Sequence, residues 1–148
     1  MSSKLQVAYI DLRTSVHATE DLDKVQTAIC NILPTELLNL IVFKSTGLTG
    51  HHGNPISLVE AKIKEKRVAQ AVFEKLAQNL PVLDKEVLSS EIDQHLEKGN
   101  LYLRLDKQAA CLNHFRLSQT DPIHFRIHFK RHRPEEVIEV CRKFGLLP

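Results

Sequence analysis

Ile123-His124-Phe125-Arg126-Ile127-His128-Phe129-Lys130 is the stretch on which the fold turns. Ile123, Phe125, Ile127 and Phe129 alternate with His124, Arg126, His128 and Lys130, the period-two pattern of a β-strand with one apolar and one polar face. A strand of that kind belongs to a sheet whose second face is open to water.

Working outward, four further strands are expected. Residues 5–13 are rich in β-favouring residues, and 40–44 (Leu-Ile-Val-Phe-Lys) are a short apolar run. In 56–64, Val59, Ala61 and Ile63 alternate with Glu60, Lys62 and Lys64. Residues 101–105 carry leucines on one face, with Tyr102, Arg104 and Asp106 on or beside the other.

Helical spacing of apolar residues predicts helices over 20–33, with Thr19 as N-cap, over 66–80, and over about 84–96 after Pro81, ending at a Lys98-Gly99-Asn100 cap and turn. A last helix starts at Pro134, with Glu135 and Glu136 in its first turn. A turn-rich loop joins the second and third strands from Thr46 to Pro55 and holds three of the five glycines. The expected order is β-α-β-β-α-α-β-β-α: an α+β fold, a largely antiparallel sheet of about five strands with helices mainly on one face. All 148 residues read as one domain, long enough to bury a real core.

Composition excludes several classes. No apolar run approaches the ~18 residues that a membrane span requires, and the N-terminus lacks a signal-peptide layout, so a soluble cytoplasmic protein is expected. Cys30, Cys111 and Cys141 form no CxxC pair, which argues against a zinc ribbon or a dithiol redox site. Cys30 and Cys141 fall among apolar residues of predicted helices and read as small buried hydrophobes. No Walker, GxSxG, HExxH or paired-carboxylate motif appears. His124 and His128 would pair as metal ligands on a helix, but on a strand they stand about 13 Å apart, too far to hold one ion. No catalytic residue, metal site or cofactor is therefore assigned.

A net charge of +2 alone does not predict a nucleic-acid partner; its distribution is more telling. From His114 to Arg133 there are five Arg or Lys and four His against one acid, Asp121. His124, Arg126, His128, Lys130 and Arg131 are thus candidate RNA contacts, with Lys62 and Lys64 as a second basic stretch. The bland alternative is a solvated strand face. In the Gly-rich loop, His51, His52 and Asn54 are candidates for approach to a phosphate, though the same residues suit a turn. Arg104, Lys107 and Gln108 complete the set; there Asp106 equally well caps a helical turn at 107–112 and pairs with Arg104.

Two stretches, Gly50-His51-His52-Gly53-Asn54-Pro55-Ile56 and Asn100 to Ala110 (Asn-Leu-Tyr-Leu-Arg-Leu-Asp-Lys-Gln-Ala-Ala), together with His17-Ala18-Thr19-Glu20-Asp21 and Arg116-Leu117, resemble a small archaeal family of RNA-binding proteins. The resemblance runs over most of residues 5–145. It implies a ribosomal protein L5-like fold, RNA as partner, and a link to the RNA-degrading exosome or to ribosomal components. The chain departs from the family pattern at His52, where an aromatic is common, at Cys111 (Tyr) and at Asn113 (Gly). The expectation is a non-catalytic RNA-binding protein of RNA processing or degradation. The alternative is a subunit that docks on other proteins of such an assembly; an open sheet face also suits a homodimer.

Overall fold

The computed structural model describes residues 5–49 and 55–148, so His51, His52 and Asn54 of the Gly-rich loop lie outside the described residues. It is an α+β fold built on a six-stranded antiparallel sheet. The strands are β1 (Val7–His17), β2 (Phe43–Thr49), β3 (Pro55–Ile63), β4 (Leu96–Glu97), β5 (Asn100–Leu105) and β6 (Ile123–Phe129), in the order β2-β3-β1-β6-β5-β4. The α-helices are α1 (Leu22–Ile32), α2 (Lys66–Asn79), α3 (Val82–Ser90), α4 (Ile92–His95), α5 (Lys107–Cys111) and α6 (Pro134–Phe144), and Thr35–Leu40 form a 3-10 helix.

The period-two reading of the fifth expected strand holds residue by residue: buried and half-buried positions alternate along β6 from Ile123 to Phe129. Its apolar side meets Leu101, Leu103 and Leu105 of β5 and Ile10 and Leu12 of β1 in one core. Helix α2 lies across β1, sending Phe73 edge-to-face against Phe129 at 5.3 Å and against Phe144 of α6 at 5.7 Å. Each fully buried Phe of this kind contributes roughly 2–3 kcal/mol of transfer free energy. Gln70 of α2 is also buried, because its side-chain carbonyl accepts from the Gln6 and Val7 N–H groups and so satisfies the start of β1.

Four expected boundaries move. The first strand runs on to His17 rather than ending at 13, because Thr14 takes a core position and donates its hydroxyl to the Pro122 carbonyl. The N-cap of α1 is Asp21, whose carboxylate accepts from Asp23 N–H, and not Thr19. The second strand is 43–49 rather than 40–44; Leu40 and Val42 are exposed, and residues of the expected loop (Thr46 to Thr49) pair instead with β3.

The helix expected over 84–96 is two, broken at Glu91, and Leu96–Glu97 adds a sixth strand. Lys98-Gly99 is then no helix cap. It is a two-residue hairpin loop with both φ angles positive (51° and 82°), the geometry that matches strand twist. The Pro134 helix start is as expected. Cys141 is buried and Cys30 half-buried.

Candidate nucleic-acid interface

The strand faces turned away from the core form ordered cross-strand rows. In one row Arg104 (β5), His124 (β6), Arg13 (β1), Glu60 (β3) and Lys44 (β2) are successive register partners. In the next, Tyr102, Arg126, Asp11 and Lys62 follow one another across four strands. A third runs Asn100, His128, Tyr9. The first two rows, Lys44 apart, line a groove of about 530 Å³ together with Gln94. An adjoining depression of about 330 Å³ shares Asp11, Lys62 and Arg126 and reaches Tyr9 and Lys64. Arg126 of β6 and Lys62 and Lys64 at β3 therefore stand on one face, with β1 between them.

Charge on this face is unbalanced. Lys44, Lys62, Lys64, Arg13, Arg104 and Arg126 face Asp11, Glu60 and Glu97, the last of these across from Asn100 in the third row. Arg126 is not a free cation: its Nη2 donates to Asp11 Oδ2 in an ion pair, and its guanidinium stands 5.8 Å over the Tyr9 ring. Arg104, by contrast, donates to the neutral Gln119 side chain at 2.7 Å.

The two histidines of β6 are held uncharged near neutrality. Burial pushes His124 below the ordinary imidazole value, and the Arg13 and Arg104 charges push the same way against a weaker pull from Asp121. Burial likewise lowers His128, helped by His132 and Arg126. Its Nδ1 is tied to Asn100 Oδ1 at 2.7 Å, and its ring stacks on Tyr9 with 4.6 Å between centroids. Arginine and lysine therefore supply the positive charge, and Tyr9, Tyr102 and His128 supply ring surface beside it.

The remaining predicted contacts fall elsewhere. Lys107 is buried, at 6% exposure. Its ammonium donates to the Ser15 carbonyl at 2.7 Å and pairs with Glu20 and Asp121, each at 3.0 Å, while Asp121 also meets His17 Nε2 at 3.2 Å. A buried ammonium held by oxygens of three residues fixes the fold and is not presented to a ligand.

Among the described residues, His17, Glu20 and Asp121 are also the trio whose ligand atoms come within 4.8 Å of one another, but both of its carboxylates already accept from Lys107. Burial raises the Asp121 carboxyl, and the hydrogen bond and charge of Lys107, aided by His17, more than reverse this, leaving it below the usual value. Gln108 lines a separate depression against α1 with Lys24 and Leu112. Asp106 caps α5 through Gln108 N–H and does not pair with Arg104. Lys130 is exposed just past the end of β6, and Arg131 pairs with Glu136 at the start of α6.

Sequence reasoning missed Arg13, Lys44 and Tyr9 as face residues. Extending the alternation of the first strand through Thr14 to Val16 would have placed Tyr9, Asp11 and Arg13 on the polar side.

A family model described as RNA binding matches residues 9–129. A protein of Pyrococcus abyssi named as RNA-binding is 36% identical, over 97% of each chain. An uncharacterised protein of Methanocaldococcus jannaschii is 32% identical over 88% of this chain and 93% of its own length. The solved structure of a DUF54 protein from Methanothermobacter thermautotrophicus superposes with a TM-score of 0.76 at 26% identity, covering 95% of this chain and 98% of that one. The matched segment opens at Tyr9 and closes at Phe129, so it takes in the outward rows from β1 to β6, and the chain belongs to this RNA-binding family.

Proposed function

We propose that the chain binds RNA on the open face of its sheet, without catalysing a reaction, as a single-domain, L5-like factor of RNA processing or degradation associated with the exosome or the ribosome. The observation that carries this is the excess of cations in cross-strand rows on the sheet face turned away from the core. Binding is mainly to phosphates, through Arg13, Arg104, Lys62 and Lys64, with Arg126 held in place by Asp11. Tyr102, exposed in the groove, offers a ring on which an unpaired base can stack, which favours single-stranded RNA over a closed duplex.

Membership of a larger assembly needs a protein contact as well. Val82, Leu83 and Val87 of α3 are exposed and apolar, which supports docking to a protein partner as the second reading. Fluorescence anisotropy with labelled single-stranded and hairpin RNAs, at several salt concentrations, tests the first reading. With about four phosphates neutralised, the log–log slope against salt is about −3 for a single strand. No binding at low salt would reduce the basic rows to a solvated face and leave the docking role.

A further inference from the structure

We infer that Arg13, His124 and Arg104 form one phosphodiester-binding subsite in which RNA binding is coupled to protonation of the His124 imidazole. This rests on the RNA-binding reading and adds to it a place and a linked proton.

The geometry is set by register. His124 has Arg13 directly across on β1 and Arg104 directly across on β5, so the histidine stands between two arginines on strands whose backbones lie about 5 Å to either side. All three line the same groove. Among the described residues neither arginine has a carboxylate within ion-pair distance. One row along, the corresponding site is already compensated, because Asp11 neutralises Arg126. The row through His124 is therefore where an anion from outside gains most.

A phosphodiester carries one negative charge and two free oxygens throughout the pH range in which histidine titrates, and two guanidiniums a strand apart on either side can each donate to it. The groups that face His124 from each neighbouring element are Arg13 on β1, with Glu60 of β3 beyond it, Arg104 on β5, Arg126 two residues along β6, and Asp121 in the segment before β6.

In the free protein, burial and the two arginines disfavour the imidazolium. An anion bound between the arginines cancels their repulsion and adds a third donor to its own shell when His124 takes a proton. The sign follows: the bound state holds a proton that the free state lacks, so affinity rises as pH falls through the histidine range. It levels off once the free protein is protonated too.

The test is anisotropy of a fluorescein-labelled oligouridylate from about pH 8 to about pH 5.5 at fixed salt, with the His124 ring proton titrated by NMR in the free and RNA-bound protein. Expected is a fall in Kd of roughly threefold or more across that range, flattened by His124→Gln but not by His114→Gln at an exposed position outside the groove. The NMR midpoint of His124 moves up when RNA is added. RNA binding whose pH slope survives His124→Gln, or a His124 midpoint that RNA leaves in place, would overturn the subsite while leaving RNA binding intact. Absence of binding at every pH would overturn the RNA-binding reading itself. The NMR arm uses the unaltered protein, so a poorly folding variant does not shield the inference.

Discussion

Replacing Arg13, Arg104 and Lys62 together by glutamine separates phosphate binding on the sheet from general attraction between a basic protein and RNA. The three side chains come from three strands and line one groove. None is an ion-pair partner of another described residue, so their loss strands no buried charge. Each phosphate contact to a single strand contributes about 0.7 to the log–log salt slope. Taking the electrostatic part to vanish near 1 M salt, one contact is worth about fivefold in affinity at 0.1 M.

Three lost contacts thus weaken binding by about 100-fold at 0.1 M and bring the slope from about −3 to about −1. A control with the same chemistry is Arg142→Gln with Lys143→Gln at the exposed end of α6, on the helical side, which should change affinity by less than about twofold. The assay is anisotropy with a labelled single-stranded RNA across a salt series, with circular dichroism to confirm the fold. A triple variant that keeps the wild-type slope would refute phosphate binding through these rows. Arg126 is a poorer choice for charge reversal, since a glutamate there would face Asp11 and confound binding with instability.

Other outcomes follow from the same geometry. Lys107→Met should cost about 2–3 kcal/mol in urea unfolding, because Glu20 and Asp121 lose the ammonium they share; a change below about 0.5 kcal/mol would show the cluster to be idle. Because the Asp121 pKa is depressed in the folded state, its contribution is present above the ordinary carboxylate value of 3.8 and is lost as pH falls through the lower folded value. Melting temperature should therefore drop on acidification below about pH 4, and less steeply in Lys107→Met. Gly99→Ala should destabilise by about 1–2 kcal/mol, since φ is +82° and a Cβ would lie 3.1 Å from the Arg131 carbonyl oxygen; an unchanged melting curve would contradict this. Burial pushes the Cys141 thiol up to about 12, so it should resist alkylation at pH 8 in the native protein and react once urea unfolds the chain.

The alternation of 123–129 and the apolar stripes of α2 and α6 were legible in the sequence because each buries a single continuous face in the core. Legibility failed where a residue type disagreed with its place. Thr14 is polar yet buried and hid the second half of β1, and with it the position of Arg13. The edge strand β2 pairs on one side only and can be rich in Ser, Thr and Gly, so the apolar run 40–44, which starts at the last residue of the 3-10 helix and overlaps β2 only at Phe43 and Lys44, drew the strand assignment away.

The candidate site was half visible. The basic excess around β6 pointed to a strand whose outward face carries cations, but pairing decides which cations are free, and pairing is non-local. Asp11 is 115 residues from Arg126, and Glu20 is 87 from Lys107. Nothing in the local pattern distinguished Lys107, buried among carboxylates, from Lys62, exposed at the groove.

Whether RNA lies on the open sheet face is tested most directly by amide chemical-shift mapping of the labelled protein with a single-stranded RNA. The largest perturbations should fall on Tyr9, Arg13, Lys62, Tyr102, Arg104 and His124, across β1, β3, β5 and β6. Perturbations gathered instead on α1, α2, α3 and α6, with these strands silent, would contradict binding on that face.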